Sequence, residues 1–115
     1  MIRRGSETKE LNATMFGGPG ELHAHVLLNS DEFCGKGRLY NACVLHPGEA
    51  IGMHEHNKEF EVYYIISGTG TYNDNGTETS VSAGDVTVCN SGEKHGIFNT
   101  SNEDLVFMAL ILFSE

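Results

Sequence analysis

The chain has 115 residues, with 16 acidic and 7 basic side chains and a formal net charge of −9. This length favours a single domain, and a hydrophobic fraction of 39% is enough for one core. The acidic excess argues against nucleic-acid and anionic-membrane partners, because no surplus of Lys and Arg is available to neutralise phosphates.

The cysteines, the first residues of the chain and the length of the longest apolar run indicate the cellular compartment of the protein. Cys34, Cys43 and Cys89 are odd in number and form no C-x-x-C pair, which predicts reduced thiols rather than a disulfide framework. The first residues lack the apolar stretch of about 7–15 residues that a secretion signal needs. The longest apolar run, residues 105–113, is far shorter than the roughly 20 residues that span a bilayer. We therefore expect a cytoplasmic protein.

From the N-terminus, residues 1–28 are predicted as an arm followed by a strand, and residues 29–115 as the main β-domain. Gly17-Gly18-Pro19-Gly20 predicts a loop within the first part, and alternating apolar residues at 21–28 predict a strand. Asp74-Asn75-Gly76 is the clearest hairpin signal. Gly and Pro turns separate short β-branched and aromatic segments, which predict strands at 38–46, 52–56, 61–66, 70–72, 77–81, 86–89, 95–99 and 105–113.

The regular spacing of turn residues along the chain predicts the fold class. The run 105–113 is ambiguous between strand and helix when taken alone, and its neighbours favour a strand. At least seven short strands, with turn signals about 8–12 residues apart, predict an all-β barrel or sandwich.

Four residues form a candidate metal-ligand set. His54 and His56 are two positions apart, and on a strand such residues share a face with Cα atoms about 6.5–7 Å apart. The polar stretch 57–60 reads as a turn. If Glu61 opens the next strand antiparallel to the first, its carboxylate points into the same cavity. His95 follows another glycine turn and begins a strand of its own.

Three imidazoles and one carboxylate suit a divalent transition metal, one per chain, with Mn or Fe favoured and Ni or Zn as alternatives. A closed tetrahedral site would make a structural zinc, whereas an octahedral site leaves two positions for water or a ligand. Ligands on different strands of a barrel line one side of a cavity, which favours the octahedral arrangement.

The spacing of these residues resembles the two sequence motifs of the cupin superfamily. The first motif is matched by glycines and ligands at its usual intervals: Gly48, His54, His56, Glu61 and Gly68. The second is matched by Gly84, Gly92, His95 and Asn99, with Asn90 in place of the usual proline. Because Asn also serves turns, this departure affects the rigidity of the turn and not the ligands.

The resemblance covers about half of the chain and implies a jelly-roll β-barrel of six to eight strands. It also implies a metal bound by His54, His56, Glu61 and His95. A looser likeness, in the glycine-rich stretches near residues 17–20 and 35–38, is to small bacterial single-domain cupins of the oxalate-decarboxylase-like kind.

Other polar residues have more ordinary interpretations. His23 and His25 are expected to form a solvent-facing or dimer-face pair, because no third ligand is spaced to join them. His46 has no evident partner in the sequence. Arg38 is expected to be a surface residue, with binding of a substrate carboxylate as the alternative.

The predicted function follows from the two open metal positions, which suit small chelating oxygen ligands such as oxalate or keto acids. We favour an enzyme with decarboxylase, isomerase or dioxygenase chemistry. The alternatives are a non-catalytic module that binds metal or metabolite and a purely structural metal. Tyr63 and Glu59 are the candidate catalytic acid or base, and Glu55 is also within reach. We expect a homodimer in which residues 1–28 cross onto the partner.

Overall fold

The computed structural model describes residues 1–115. The chain forms ten β-strands and two short 3₁₀ turns, Gly5–Glu7 and Ser30–Phe33. The strands are β1 (Lys9–Ala13), β2 (Leu22–Val26), β3 (Gly37–Leu45), β4 (Ala50–Glu55), β5 (Glu59–Ser67), β6 (Thr69–Asp74), β7 (Thr77–Ser82), β8 (Val86–Cys89), β9 (Lys94–Phe98) and β10 (Leu105–Phe113).

The strands make two antiparallel sheets that enclose the core. The larger sheet has six strands in the order β1-β2-β3-β10-β5-β8, and the smaller has four in the order β4-β9-β6-β7. Apolar side chains from both sheets pack into one cluster that includes Leu45, Ile65, Ile97 and Phe107. The predicted all-β fold of jelly-roll type is confirmed.

Local signals placed most of the elements correctly. The run 105–113 is a strand, β10, at the centre of the larger sheet between β3 and β5. The hairpin of β6 and β7 turns at Asn75 and Gly76, both with positive φ (53° and 101°), as a type I′ turn requires. Left-handed backbone at both positions matches the twist of the flanking strands and fixes their register.

β4 and β5 follow one another in the chain but lie in different sheets, and β5 begins at Glu59 and not at Glu61. β4 pairs with β9, whereas β5 pairs with β10 and β8. The turn between β4 and β5 contains Lys58 with a φ of 62°, and the chain passes there from the smaller sheet to the larger. Glu61 therefore faces the histidines across the barrel interior.

Residues 1–28 add two strands to the larger sheet of the same chain. β1 pairs with β2, and β2 pairs with β3. Most of β1 is exposed, but Leu11 packs against the core, so the segment predicted only as an arm contains a strand. All three cysteines are free, and Cys43 and Cys89 are buried. No helix is long and apolar enough to cross a bilayer.

A glycine in β4 lets the loop before β2 lie directly on that strand. A Cβ added at Gly52 would come within 2.0 Å of the carbonyl oxygen of Phe16, so Gly52→Ala must displace the loop. We expect a loss of about 1–3 kcal/mol in the free energy of unfolding, measured by urea denaturation. Gly5→Ala, at a glycine with open space around it, is the matched control, and equal stability of the two variants would contradict this account.

Candidate metal centre

Three elements bring the four predicted ligands together inside the barrel. His54 near the end of β4 pairs directly with His95 at the start of β9, and His56 follows β4 by one residue. Glu61 projects from β5 in the opposite sheet. The four side chains are only 1–6% exposed, and we call this set, His54, His56, Glu61 and His95, the His/Glu cluster.

The donor atoms of the His/Glu cluster converge on one point. Oε1 of Glu61 lies 3.5, 3.0 and 2.9 Å from Nε2 of His54, His56 and His95 respectively. Nε2 of His95 is 3.0 Å from that of His54 and 3.2 Å from that of His56. An ion with ligands at about 2.1 Å holds neighbouring donors about 3.0 Å apart in octahedral geometry and about 3.4 Å apart in tetrahedral geometry. The spacing fits one ion, and the three shortest pairs match the octahedral value.

Hydrogen bonds at Nδ1, the ring nitrogen that points away from the centre of the cluster, set the orientation of the His54 and His56 rings. Nδ1 of His54 donates to the carbonyl oxygen of Gly52 at 2.8 Å, and Nδ1 of His56 donates to the Glu59 carboxylate at 2.6 Å. Because Nδ1 carries the proton in both rings, each neutral imidazole presents an Nε2 lone pair to the centre. Convergent lone pairs beside a carboxylate repel one another unless a cation lies between them, so the donor set suits a metal.

The third ring is held by two tyrosines. The hydroxyl of Tyr72 lies 2.9 Å from Nδ1 of His95, and the ring of Tyr63 stacks on His95 at a centroid distance of 5.0 Å. Tyr63 is 1% exposed. Burial, together with the nearby charge of Glu61, raises its pKa well above the ordinary value, so its phenol keeps its proton.

Glu59, predicted as a catalytic residue, contacts the His56 ring on the side that faces away from the centre of the cluster. Its carboxylate also forms an ion pair with Arg38. Arg38 donates from Nε and Nη2 to the two carboxylate oxygens of Glu59, each at 2.7 Å. The hydrogen bond from Arg38 lowers the pKa of Glu59 against the effect of burial, and His56 contributes in the same direction. Glu59 is therefore an ionised acceptor that fixes the orientation of the His56 ring.

The surroundings lower the pKa of the carboxyl group in the His/Glu cluster and shift the pKa values of two of its imidazoles in opposite directions. Burial alone would raise the pKa of Glu61, but the close contacts of its carboxylate with the three imidazoles outweigh it and lower that pKa. The hydrogen bond to Glu61 raises the pKa of His56, whereas desolvation lowers the pKa of His95. As the pH falls, protons therefore begin to compete with a cation at His56 before they do so at His95.

Metal affinity is accordingly expected to fall at least tenfold between pH 7.5 and pH 5.5. The imidazoles must be neutral to bind, and each proton that the metal must displace costs up to about tenfold in affinity per pH unit. The raised pKa of His56 starts this loss at a higher pH than an ordinary histidine would, while the lowered pKa of Glu61 keeps that carboxylate ionised. Competition against a metal-binding dye measures the affinity, and a pH-independent value would show that these histidines are not ligands.

One side of the cluster opens into a small cavity of about 80 Å³. His54, His56, Glu61 and Tyr63 line it together with Arg38 and Phe16, and most of the remaining wall is apolar. A single water needs about 10–15 Å³ of such volume. The cavity therefore admits a ligand equivalent to a few waters and is well below the roughly 300–1,000 Å³ of pockets for drug-sized ligands.

Sequence reasoning missed Phe16 and the partner of His46. The Phe16 ring stacks on His54 at 4.2 Å and is 59% exposed at the cavity mouth, but nothing in its local sequence marks that contact. Nδ1 of His46 lies 2.8 Å from Oδ1 of Asp104, so the expectation that His46 has no partner is wrong. The two meet because Leu45 in β3 pairs with Leu105 in β10, a contact between residues far apart in the sequence.

A jelly-roll barrel with three histidines and a glutamate at its centre defines a class of metal-binding β-barrel proteins. Residues 41–111 match the family described as "Cupin domain", which includes most of the barrel and the whole His/Glu cluster. The chain belongs to the cupin family.

The chain is similar to a curated protein and to a solved structure, both from Thermotoga maritima. An "Oxalate-binding protein" is 44% identical over 113 residues, which cover 97% of this chain and 93% of that protein. The crystal structure of a "predicted oxalate decarboxylase" shares 42% identity and a TM-score of 0.92, with 98% of this chain and 99% of that chain covered. A "putative sugar phosphate isomerase" from Acidithiobacillus ferrooxidans, at 22% identity and a TM-score of 0.80 over 96% and 74% of the two chains, shares the fold alone.

Proposed function

We propose that this cupin binds a small oxygen-rich acid, with oxalate as the first candidate, on one divalent transition metal held by the His/Glu cluster. The observation that carries the proposal is that four convergent donors lie on one side of a cavity only large enough for a ligand of a few atoms. Four donors on one side of a six-coordinate ion leave two adjacent positions, which a chelating pair of oxygens fits.

The wall of the cavity supports an anionic ligand. Arg38 is the one Lys or Arg among the lining residues; its Nε and Nη2 pair with Glu59, and its half-exposed side chain lies beside the mouth. The neutral phenol of Tyr63 also lines the cavity and offers a hydrogen-bond donor next to the ligands. The Thermotoga maritima relative described as oxalate-binding makes oxalate the acid to test first.

Calorimetric titration tests this function directly. Oxalate titrated into protein loaded with one equivalent of Mn²⁺ should bind once per chain, and protein freed of metal by a chelator should give no heat above dilution. Arg38→Met, which keeps much of the side-chain length and removes the charge, should weaken binding. Equal binding by the loaded and metal-free proteins would contradict the proposal.

Glu59 is proposed to act through His56 and not on the acid itself. Removing a residue that only supports a metal ligand costs about 10–100-fold in metal affinity, and Glu59→Gln should cause a loss of this size. Glu55→Gln, at an exposed carboxylate at the end of β4 next to His56, is the control and should leave the affinity unchanged. An unaltered affinity in Glu59→Gln would remove Glu59 from the metal site.

Chemical transformation of the acid is the second candidate function, as lyase, isomerase or oxygenase chemistry. A bound Mn or Fe ion would supply Lewis acidity and redox chemistry, whereas Ni or Zn would supply Lewis acidity alone. The observation that favours catalysis is the phenol of Tyr63 in the cavity wall, where it offers a hydrogen-bond donor to negative charge that develops on the bound acid. Tyr63→Phe should then lose product formation while acid binding weakens only modestly, by the one hydrogen bond removed. The absence of product with every metal tested would support acid binding without catalysis.

A homodimer is proposed through the outer face of the larger sheet. Antiparallel sheets commonly expose a polar outer face, but here the outward side chains are apolar across four strands: Tyr40, Ala42, Val44, Val62, Tyr64, Ile66, Val86, Val88, Val106, Met108 and Leu110. Two chains of charge −9 repel each other least across an uncharged face, and large exposed apolar patches mark interaction sites.

Sedimentation at micromolar concentration tests the dimer. Val86→Asp, at a position 59% exposed on this face, should yield a monomer. A chain without residues 1–8 should remain a dimer. Loss of the dimer only in the shortened chain would assign the interface to a crossing N-terminal segment instead, and a monomeric intact protein would contradict both.

The thiols support a reducing location. Cys34 is exposed and free, and exposed free thiols persist where glutathione and thioredoxin keep them reduced. We propose the cytoplasm as the site of action. Microscopy of a fluorescently labelled chain tests this location.

A further inference from the structure

A second group of potential metal ligands lies on the outside of the larger sheet. His23 on β2, His46 just after β3 and Glu49 just before β4 each offer a donor atom, and these atoms all lie within 4.8 Å of one another. His23 points away from the core, because its neighbours Leu22 and Ala24 are the residues of β2 that face inward. The group is therefore separate from the His/Glu cluster.

The donors of this outer group are held by the same kind of contacts as those of the central site. Nδ1 of His23 lies 2.7 Å from Oδ1 of Asn12, and Nδ1 of His46 lies 2.8 Å from Oδ1 of Asp104. Oxygen partners at Nδ1 fix the orientation of each ring, and the centroids of the two rings lie 4.5 Å apart. Nε2 of His23 approaches the two oxygens of Glu49 at 3.0 and 3.3 Å, close to the spacing of neighbouring ligands on one ion.

The carboxylate of Glu49 is fixed by the backbone. The N–H of His46 donates to Oε1 at 2.8 Å, and the N–H of Glu21 donates to Oε2 at 2.9 Å. These bonds outweigh the effect of burial and lower the pKa of Glu49, so the group is ionised at neutral pH. No Lys or Arg side chain takes part in the hydrogen bonds of this group.

We propose that His23, His46 and Glu49 form a second, surface site for a divalent cation of the Zn²⁺ class. Two imidazoles and one carboxylate are a common ligand set for zinc, with the remaining position open to water. The open position faces solvent, because His46 is exposed and His23 is half-buried.

Zinc titration of the folded protein tests the second site. Wild-type protein should bind two equivalents of Zn²⁺ per chain, and His23→Ala and His46→Ala should each weaken the second equivalent at least tenfold without altering the first. His25→Ala is the matched control, because His25 lies on the same face of β2 and its ring contacts Thr8 instead. It should retain both equivalents.

The His54→Ala/His56→Ala double variant isolates the outer group. It should bind one equivalent of Zn²⁺, and adding His23→Ala should abolish that binding. If wild-type protein binds a single equivalent, or if His23→Ala binds zinc as tightly as His25→Ala does, the group is only a pair of histidine–carboxylate contacts and the proposal is wrong.

Discussion

Glu61→Gln is expected to weaken Mn²⁺ binding by the His/Glu cluster by more than about 100-fold, so that protein loaded with Mn²⁺ and then dialysed retains almost none of the ion that this cluster holds. The amide keeps the shape of the side chain but removes the only negative charge within the His/Glu cluster. Loss of a residue that merely supports a ligand already costs about 10–100-fold, and loss of the ligand itself must cost more. Elemental analysis of the dialysed protein gives the metal content.

Matched variants separate loss of the ligand from loss of the fold. His54→Ala together with His56→Ala should also abolish Mn²⁺ binding at the His/Glu cluster, whereas His25→Ala and Glu55→Gln, at exposed positions on β2 and β4, should retain a full equivalent of Mn²⁺. The circular dichroism of all variants should match the wild type. A full equivalent of metal in Glu61→Gln would place the ion elsewhere.

Oxalate should raise the melting temperature of the metal-loaded protein by about 10 °C at a concentration 100 times Kd. A ligand that binds only the folded state contributes about 2.7 kcal/mol at that excess. For a chain of this size, 1 kcal/mol shifts the melting temperature by roughly 3–5 °C. Differential scanning calorimetry measures the shift, which should grow with the logarithm of oxalate concentration.

Two comparisons make this result specific to metal-bound acid. Acetate has one carboxylate and cannot fill two adjacent positions in the same way, so it should give a much smaller shift. Oxalate also chelates free metal, and its removal of the ion would lower the melting temperature instead of raising it. An equal rise in metal-free protein would show that the acid binds without the ion.

The ligands of the central site could be predicted because their information is local. His54 and His56 sit two residues apart at the end of one strand, and glycine turns bracket Glu61 and His95 at fixed intervals. Strand positions could be predicted for the same reason, since turn residues and β-branched segments act over a few neighbours. The run 105–113 needed its neighbours to be assigned as a strand.

Long-range pairings could not be predicted from these patterns. Alternation with a period of two residues shows which face of a strand a side chain takes, but it does not show which sheet the strand joins. The sequence pattern therefore did not reveal that β4 and β5 lie in different sheets. The contacts of Arg38 with Glu59 and of Tyr72 with His95 join residues 21 and 23 positions apart. Such supports of the ligands depend on the assembled barrel.

The most direct measurement is a crystal structure of the protein grown with Mn²⁺ and oxalate. Our account predicts one ion bound by Nε2 of His54, His56 and His95 and by a carboxylate oxygen of Glu61, with two oxalate oxygens completing six-fold coordination beside Tyr63. A four-coordinate ion closed to solvent, with oxalate elsewhere or absent, would contradict it.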